Sequence, residues 1–74
     1  MATFTTEQID DIFSYHSPQG DQPTQYALIR NKAKELANVI IANMPSSADQ
    51  TAAIRLLRQC VMTANASIAL DGKF

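Results

Sequence analysis

Four residues in two places could hold a nucleotide. Tyr15 and His16 stand in the string Tyr15-His16-Ser17-Pro18. Arg30 and Lys34 stand in the run Ile29-Arg30-Asn31-Lys32-Ala33-Lys34-Glu35-Leu36-Ala37. The first place offers an aromatic ring, an imidazole and a rigid proline. The second offers two cations four residues apart, hence on one face of a helix. A ring for stacking on a base, beside cations for phosphate, is the minimum needed to bind a nucleotide. Arg30 and Lys34 each follow an apolar residue, Ile29 and Ala33, so they flank the apolar stripe. There their stems can pack while their charged ends reach an interface or a pocket. Lys32 reads as a solvated residue, and Glu35 is placed to pair with Asn31 or with a neighbouring chain. Tyr15 reads in two ways, as a lid on the core with a wet hydroxyl or as a stacking platform.

Little else in the chain looks chemical. One histidine, one cysteine and scattered acids supply no nucleophile, base and orienting group at a recognisable spacing, so the expectation is that the protein is not an enzyme. Asp10-Asp11, with Glu7, reads as compensation of a helix dipole. Cys60 lies in an apolar helical stretch, where a buried, inert thiol is expected. With only Gly20 and Gly72 there is no glycine-rich phosphate loop. His16 and Cys60 are too far apart in sequence to suggest a metal site.

Length and charge narrow the possibilities. Seventy-four residues make one helical domain at most, spanning 1–74. A chain this short buries only about 60% of its unfolded surface when it folds alone. A lone cysteine gives no internal disulfide, which leaves association of subunits as the expected support. Seven acidic residues against six basic ones give a net charge of −1, so duplex DNA is not an expected partner. No apolar run approaches the length of a membrane span. The start Met1-Ala2-Thr3-Phe4-Thr5 lacks the features of a signal peptide, and the free thiol suits a cytosolic protein.

The elements that must position these residues are three helices, with no strand. The first is expected over about 6–15: Thr5 and Gln8 fit a capping box, and Ile9, Ile12 and Phe13 make an apolar face. Ser17-Pro18-Gln19-Gly20 ends it. The second is expected over about 22–44, with Asp21 as N-cap and Pro23 in its first turn. Its stripe is Tyr26, Ile29, Ala33, Leu36, Ala37, Ile40 and Met44, in near-heptad steps. Pro45-Ser46-Ser47 breaks the chain, and Ser47 with Gln50 fits another capping box. The third helix is expected over about 48–70, with Gly72 as its C-terminal cap. The short break makes the two long helices antiparallel neighbours.

The third helix carries almost two stripes. Ile54, Leu57, Val61, Ala64, Asn65 and Ile68 face the hairpin, and Asn65 is expected to bond to backbone of the loop or the first helix. Ala53, Leu56, Cys60, Thr63 and Ser67 make the second stripe. The first helix covers it, or it is a subunit interface, or each holds on a different part of the helix. Arg55 and Arg58 are expected to face solvent or a partner's aspartate.

Taken together, several strings point one way. They are Phe13-Ser14-Tyr15-His16-Ser17-Pro18, Tyr26 with Ile29-Arg30 and Ala33-Lys34-Glu35-Leu36-Ala37, Pro45-Ser46-Ser47, and Val61-Met62-Thr63-Ala64-Asn65-Ala66-Ser67-Ile68-Ala69. Over residues 13 to 69 the chain resembles the phage anti-CBASS protein 2 family, small cyclic-oligonucleotide sponges related to the helical hairpin of the anti-Thoeris sponge. The resemblance implies an all-α protein, a short N-terminal helix plus an antiparallel two-helix hairpin, assembled as a compact homohexamer. It implies no catalysis and no cofactor. It also implies a cyclic di- or trinucleotide ligand, cyclic dinucleotides such as cGAMP among them, held uncleaved in the host bacterial cytoplasm so that CBASS immunity stays silent.

By the same resemblance Tyr15 stacks on a base and Arg30 meets phosphate; Lys34 joins them through its i+4 position. His16 belongs to a separate threefold trinucleotide pocket that some members close with an arginine at the end of the third helix. Here that end reads Ile68-Ala69-Leu70-Asp71, and Lys73 is the nearest cation. Two competing readings remain: a helical oligomeric module that inhibits a host protein through its third helix, and a hydrolase of the same messengers.

Overall fold

Thr5 opens the first helix, α1 (Thr6–Ile12), with both halves of a capping box. Its Oγ1 accepts from the Gln8 amide at 3.1 Å, while its own amide donates to Gln8 Oε1 at 2.8 Å. The computed structural model describes residues 3–74; the Met1-Ala2 end of the segment read above for signal features lies outside them. α1 stops at Ile12, three residues earlier than the periodicity suggested. Phe13 leaves helical geometry, the Ser14 hydroxyl bonds back to the Asp10 carbonyl, and His16 bonds to the Asp11 carbonyl. Side-chain donors thus take carbonyls that a further helical turn would have used. In so short a helix only Glu7 lies in the first turn, so dipole compensation does not account for Asp10 or Asp11.

The second helix, α2 (Gln22–Asn43), starts after Asp21 with a proline in its first turn. The Asp21 side chain makes no capping bond. The Gln22 side chain closes the turn instead, its Oε1 accepting from the Gln19 amide at 2.9 Å. Met44 is extended, at φ −99° and ψ 141°, as a residue before proline must be.

Ser47 then caps the third helix, α3 (Ala48–Ala69), accepting from the Gln50 amide at 3.2 Å. The Gln50 side chain does not complete the box; it donates to the Met44 carbonyl at 3.1 Å and ties the two helix ends together. α2 and α3 pack as an antiparallel hairpin with Ile29, Ala33, Ala37 and Ile40 facing Ile54, Leu57, Val61 and Ile68, all half-buried. Leu36, placed in the stripe by its spacing, sits at the margin and is exposed.

Among the described residues only Leu70 is buried, at 9% exposure. The radius of gyration is 15.7 Å, against about 11 Å for a compact chain of this length. The accessible surface is 6014 Å², against about 4500 Å² for a compact monomer of this mass. α1 does not pack on either long helix, and its apolar residues Ile9 and Phe13 are exposed. It therefore leaves the second stripe of α3 uncovered. Cys60, expected to be buried, is exposed, on a groove of about 560 Å³ with Leu56, Thr63 and Ser67.

Asn65 also differs from expectation. It lies half-buried on the hairpin face, and its Oδ1 is buried with no hydrogen-bond partner. α1 is too far from the seam to supply one.

Candidate functional site

The loop after α1 is held by contacts remote in sequence. His16 Nε2 lies 2.6 Å from the Asp11 carbonyl oxygen, which can only accept, so Nε2 carries the proton. The same ring nitrogen is 3.5 Å from Asp11 Oδ1. On the other side, Lys73 Nζ donates to Asp11 Oδ2 at 2.7 Å. Asp11 thus joins the loop to the C-terminal tail. Its carboxyl is held below the ordinary carboxylate range, chiefly by the Lys73 hydrogen bond, with desolvation opposing and the charges of Lys73 and His16 adding to the lowering. The rings of Phe4 and Phe74 meet at 6.1 Å beside this pair. A second tie is Gln22, whose Nε2 donates to the Ile68 carbonyl at 3.1 Å near the end of α3.

These ties shape a cleft of about 580 Å³ between the loop and the end of α3. Tyr15, His16, Ser17, Gln19, Gln22, Ala69 and Asp71 line it. Tyr15 is 85% exposed, so its ring does not serve as a lid on the core. A ring held in water beside a polar cleft is a surface on which a planar ligand can stack. His16 is a half-buried anchor of the loop, and its Nε2–H is already engaged.

Arg30 and Lys34 lie outside this cleft. Both are exposed on α2, where helical geometry alone sets them on one face. Lys32 and Glu35 pair at 3.2 Å, so within the chain Glu35 takes Lys32 rather than Asn31. Among the described residues neither Arg30 nor Lys34 has an acidic partner. Within one chain, then, the ring pair shares a cleft and the cation pair stands apart. Lys73, the nearest cation to the end of α3, is committed to Asp11.

Sequence reasoning missed Asp11, Gln22 and Asp71. Gln22 follows Gln19 by three residues, a capping-type spacing that could have marked it. Asp11 meets Lys73 across 62 positions, for which spacing carries no signal. No group of three or more His, Cys, Asp or Glu residues that could hold a metal occurs among the described residues. No helix among them is long and apolar enough to cross a membrane.

Residues 5–69 match the family model described as Acb2/Tad1, hairpin domain. No curated protein and no solved structure matches the chain.

Proposed function

This chain belongs to the Acb2/Tad1 hairpin-domain family, whose members are non-catalytic cyclic-nucleotide sponges, and on that premise we propose that it sequesters cyclic dinucleotide messengers to block CBASS immunity in the host bacterial cytoplasm. The observation that carries this reading is the exposed Tyr15 ring on its polar cleft. Tyr15 stacks on a base, Arg30 meets phosphate and Lys34 supports it from the next turn. His16 holds the loop in place.

A pocket assembled from several copies resolves the separation of ring and cations, because a neighbouring chain can bring its Arg30 to this chain's Tyr15. The open groove along α3 and the thin core both favour association of copies, and a homohexamer is the assembly we propose. In a symmetric pocket each group acts twice. Stacking contributes about 1–3 kcal/mol per base, and a charge-assisted hydrogen bond about 1.5–3 kcal/mol. Two of each approach the roughly 12 kcal/mol of nanomolar binding before ordering costs.

The test is calorimetry with a panel of cyclic dinucleotides and one cyclic trinucleotide, with mass measured by light scattering. Heat with cyclic dinucleotides and a mass near six chains are expected. No heat with any of them defeats the reading. Ligand recovered after heat denaturation should elute unchanged; a linear product would make the protein a hydrolase instead. A helical module that inhibits a host protein is the second reading, favoured by the open α3 groove. Capture of a host protein by nucleotide-free protein, with no calorimetric signal, would select it.

A further inference from the structure

α3 ends on a residue that the backbone there does not favour. After Leu70, Asp71 takes φ 54° and Gly72 φ 70°. The Asp71 amide donates to the Ile68 carbonyl at 3.2 Å and the Gly72 amide to the Ser67 carbonyl at 2.9 Å. These are the two bonds of a Schellman turn, whose left-handed position is usually glycine because a Cβ there crowds the backbone. The sequence suggested Gly72 for this role, but the position falls one residue earlier. Aspartate enters this conformation more readily than most residues but less readily than glycine, which leaves room for a reason outside the turn.

The cleft supplies one. Asp71 lines it together with Tyr15, His16, Ser17 and Gln19. Its carboxylate has no ion-pair or hydrogen-bond partner among the described residues. Of the other polar groups of the cleft, His16 Nε2 is engaged by Asp11 and both ends of the Gln22 amide by Gln19 and Ile68. No lysine or arginine lines the cleft. Within one chain, a phosphate placed against Asp71 would meet a carboxylate with no cation beside it. The part of a nucleotide that suits this cleft is therefore a base.

A carboxylate only accepts hydrogen bonds, and it accepts best from two adjacent N–H donors. Guanine presents N1–H and N2–H side by side on its Watson–Crick edge. Adenine presents one amino group beside the N1 lone pair, which a carboxylate repels. Resting on the sponge reading above, we infer that Asp71 is a specificity-determining residue that reads the guanine edge of the base stacked on Tyr15. The protein then holds guanine-containing cyclic dinucleotides more tightly than cyclic diadenylate.

The test is calorimetry on the full chain, as wild type, Asp71→Asn and Asp71→Gly, with cyclic diguanylate and cyclic diadenylate. Both substitutions accept a left-handed backbone, and Asp71→Gly should melt at or above the wild-type temperature. Wild type should prefer diguanylate. Each variant should lose about tenfold or more for diguanylate and stay within about twofold for diadenylate. If Asp71→Asn folds poorly, Asp71→Gly alone decides. Equal weakening of both ligands, or of neither, overturns the inference and leaves the sponge reading standing. Absence of binding by the wild type to either dinucleotide and to the rest of the panel defeats both.

Discussion

The ring half and the cation half of the proposed site rest on different supports. Arg30 and Lys34 stand mid-helix on α2, where hydrogen bonds between near neighbours set their direction. Tyr15 stands in a loop whose position depends on Asp11 meeting Lys73 and on Gln22 meeting Ile68. The cation half persists wherever α2 is helical. The ring half exists only when the two ends of the chain come together. One site can therefore be damaged in two ways, by removing a group or by releasing the loop that carries one.

The largest expected effect falls on the cation half. Arg30→Glu replaces a phosphate donor with a repelling charge and should cost about 3 kcal/mol or more, over a hundredfold in affinity. Circular dichroism and mass should stay at wild-type values, since the residue is exposed. Tyr15→Ala removes a stacking surface without touching any helix, for about 1–3 kcal/mol per base by calorimetry. If Tyr15→Ala changed the assembly mass instead, the ring would be an interface residue and the comparison would fail.

Smaller effects separate loop release from loss of a group. Lys73→Ala should weaken cyclic dinucleotide binding about two- to fivefold, with the reversed pair Asp11→Lys plus Lys73→Asp recovering most of it. A lone Lys73→Ala defect that the reversal did not relieve would mean that Lys73 touches ligand directly. The smallest effect is that of pH. Asp11 has its folded pKa depressed by Lys73, so the contribution of this pair is fully present above its unfolded value of about 3.9. It is lost as pH falls through the lower folded value. The nuclear resonances of the Lys73 side chain should report a pair that is still closed at about pH 4 and opens only as pH falls through the depressed folded value of Asp11. Asp11→Asn should abolish that transition while leaving the α2–α3 resonances unmoved.

Much of the hairpin was legible because its signals are local. Pro45 forces Met44 to be extended, and Ser47 reaches the Gln50 amide three residues away. Thr5 and Gln8 form the expected capping box. Other expectations failed where a side chain acted outside its own helix. Gln50 turned back to Met44 rather than to Ser47. Ser14 and His16 shortened α1 by bonding to its last carbonyls. Cys60 was read as buried because the stretch around it is apolar, yet burial needs a neighbour and α1 supplies none.

By itself the sequence determined three helices, an antiparallel hairpin and the placing of Arg30 and Lys34 on one helical face. Helix periodicity, capping and proline chemistry act over a few residues, so residue order is enough to read them. Only the tertiary structure decided that α1 stands off the hairpin, that Tyr15 and Asp71 line one cleft, and that Lys73 is committed to Asp11. Those outcomes depend on chain ends meeting across some sixty residues. At such separations the cost of closing the chain and the geometry of every intervening turn decide which groups meet, and residue spacing carries no record of either.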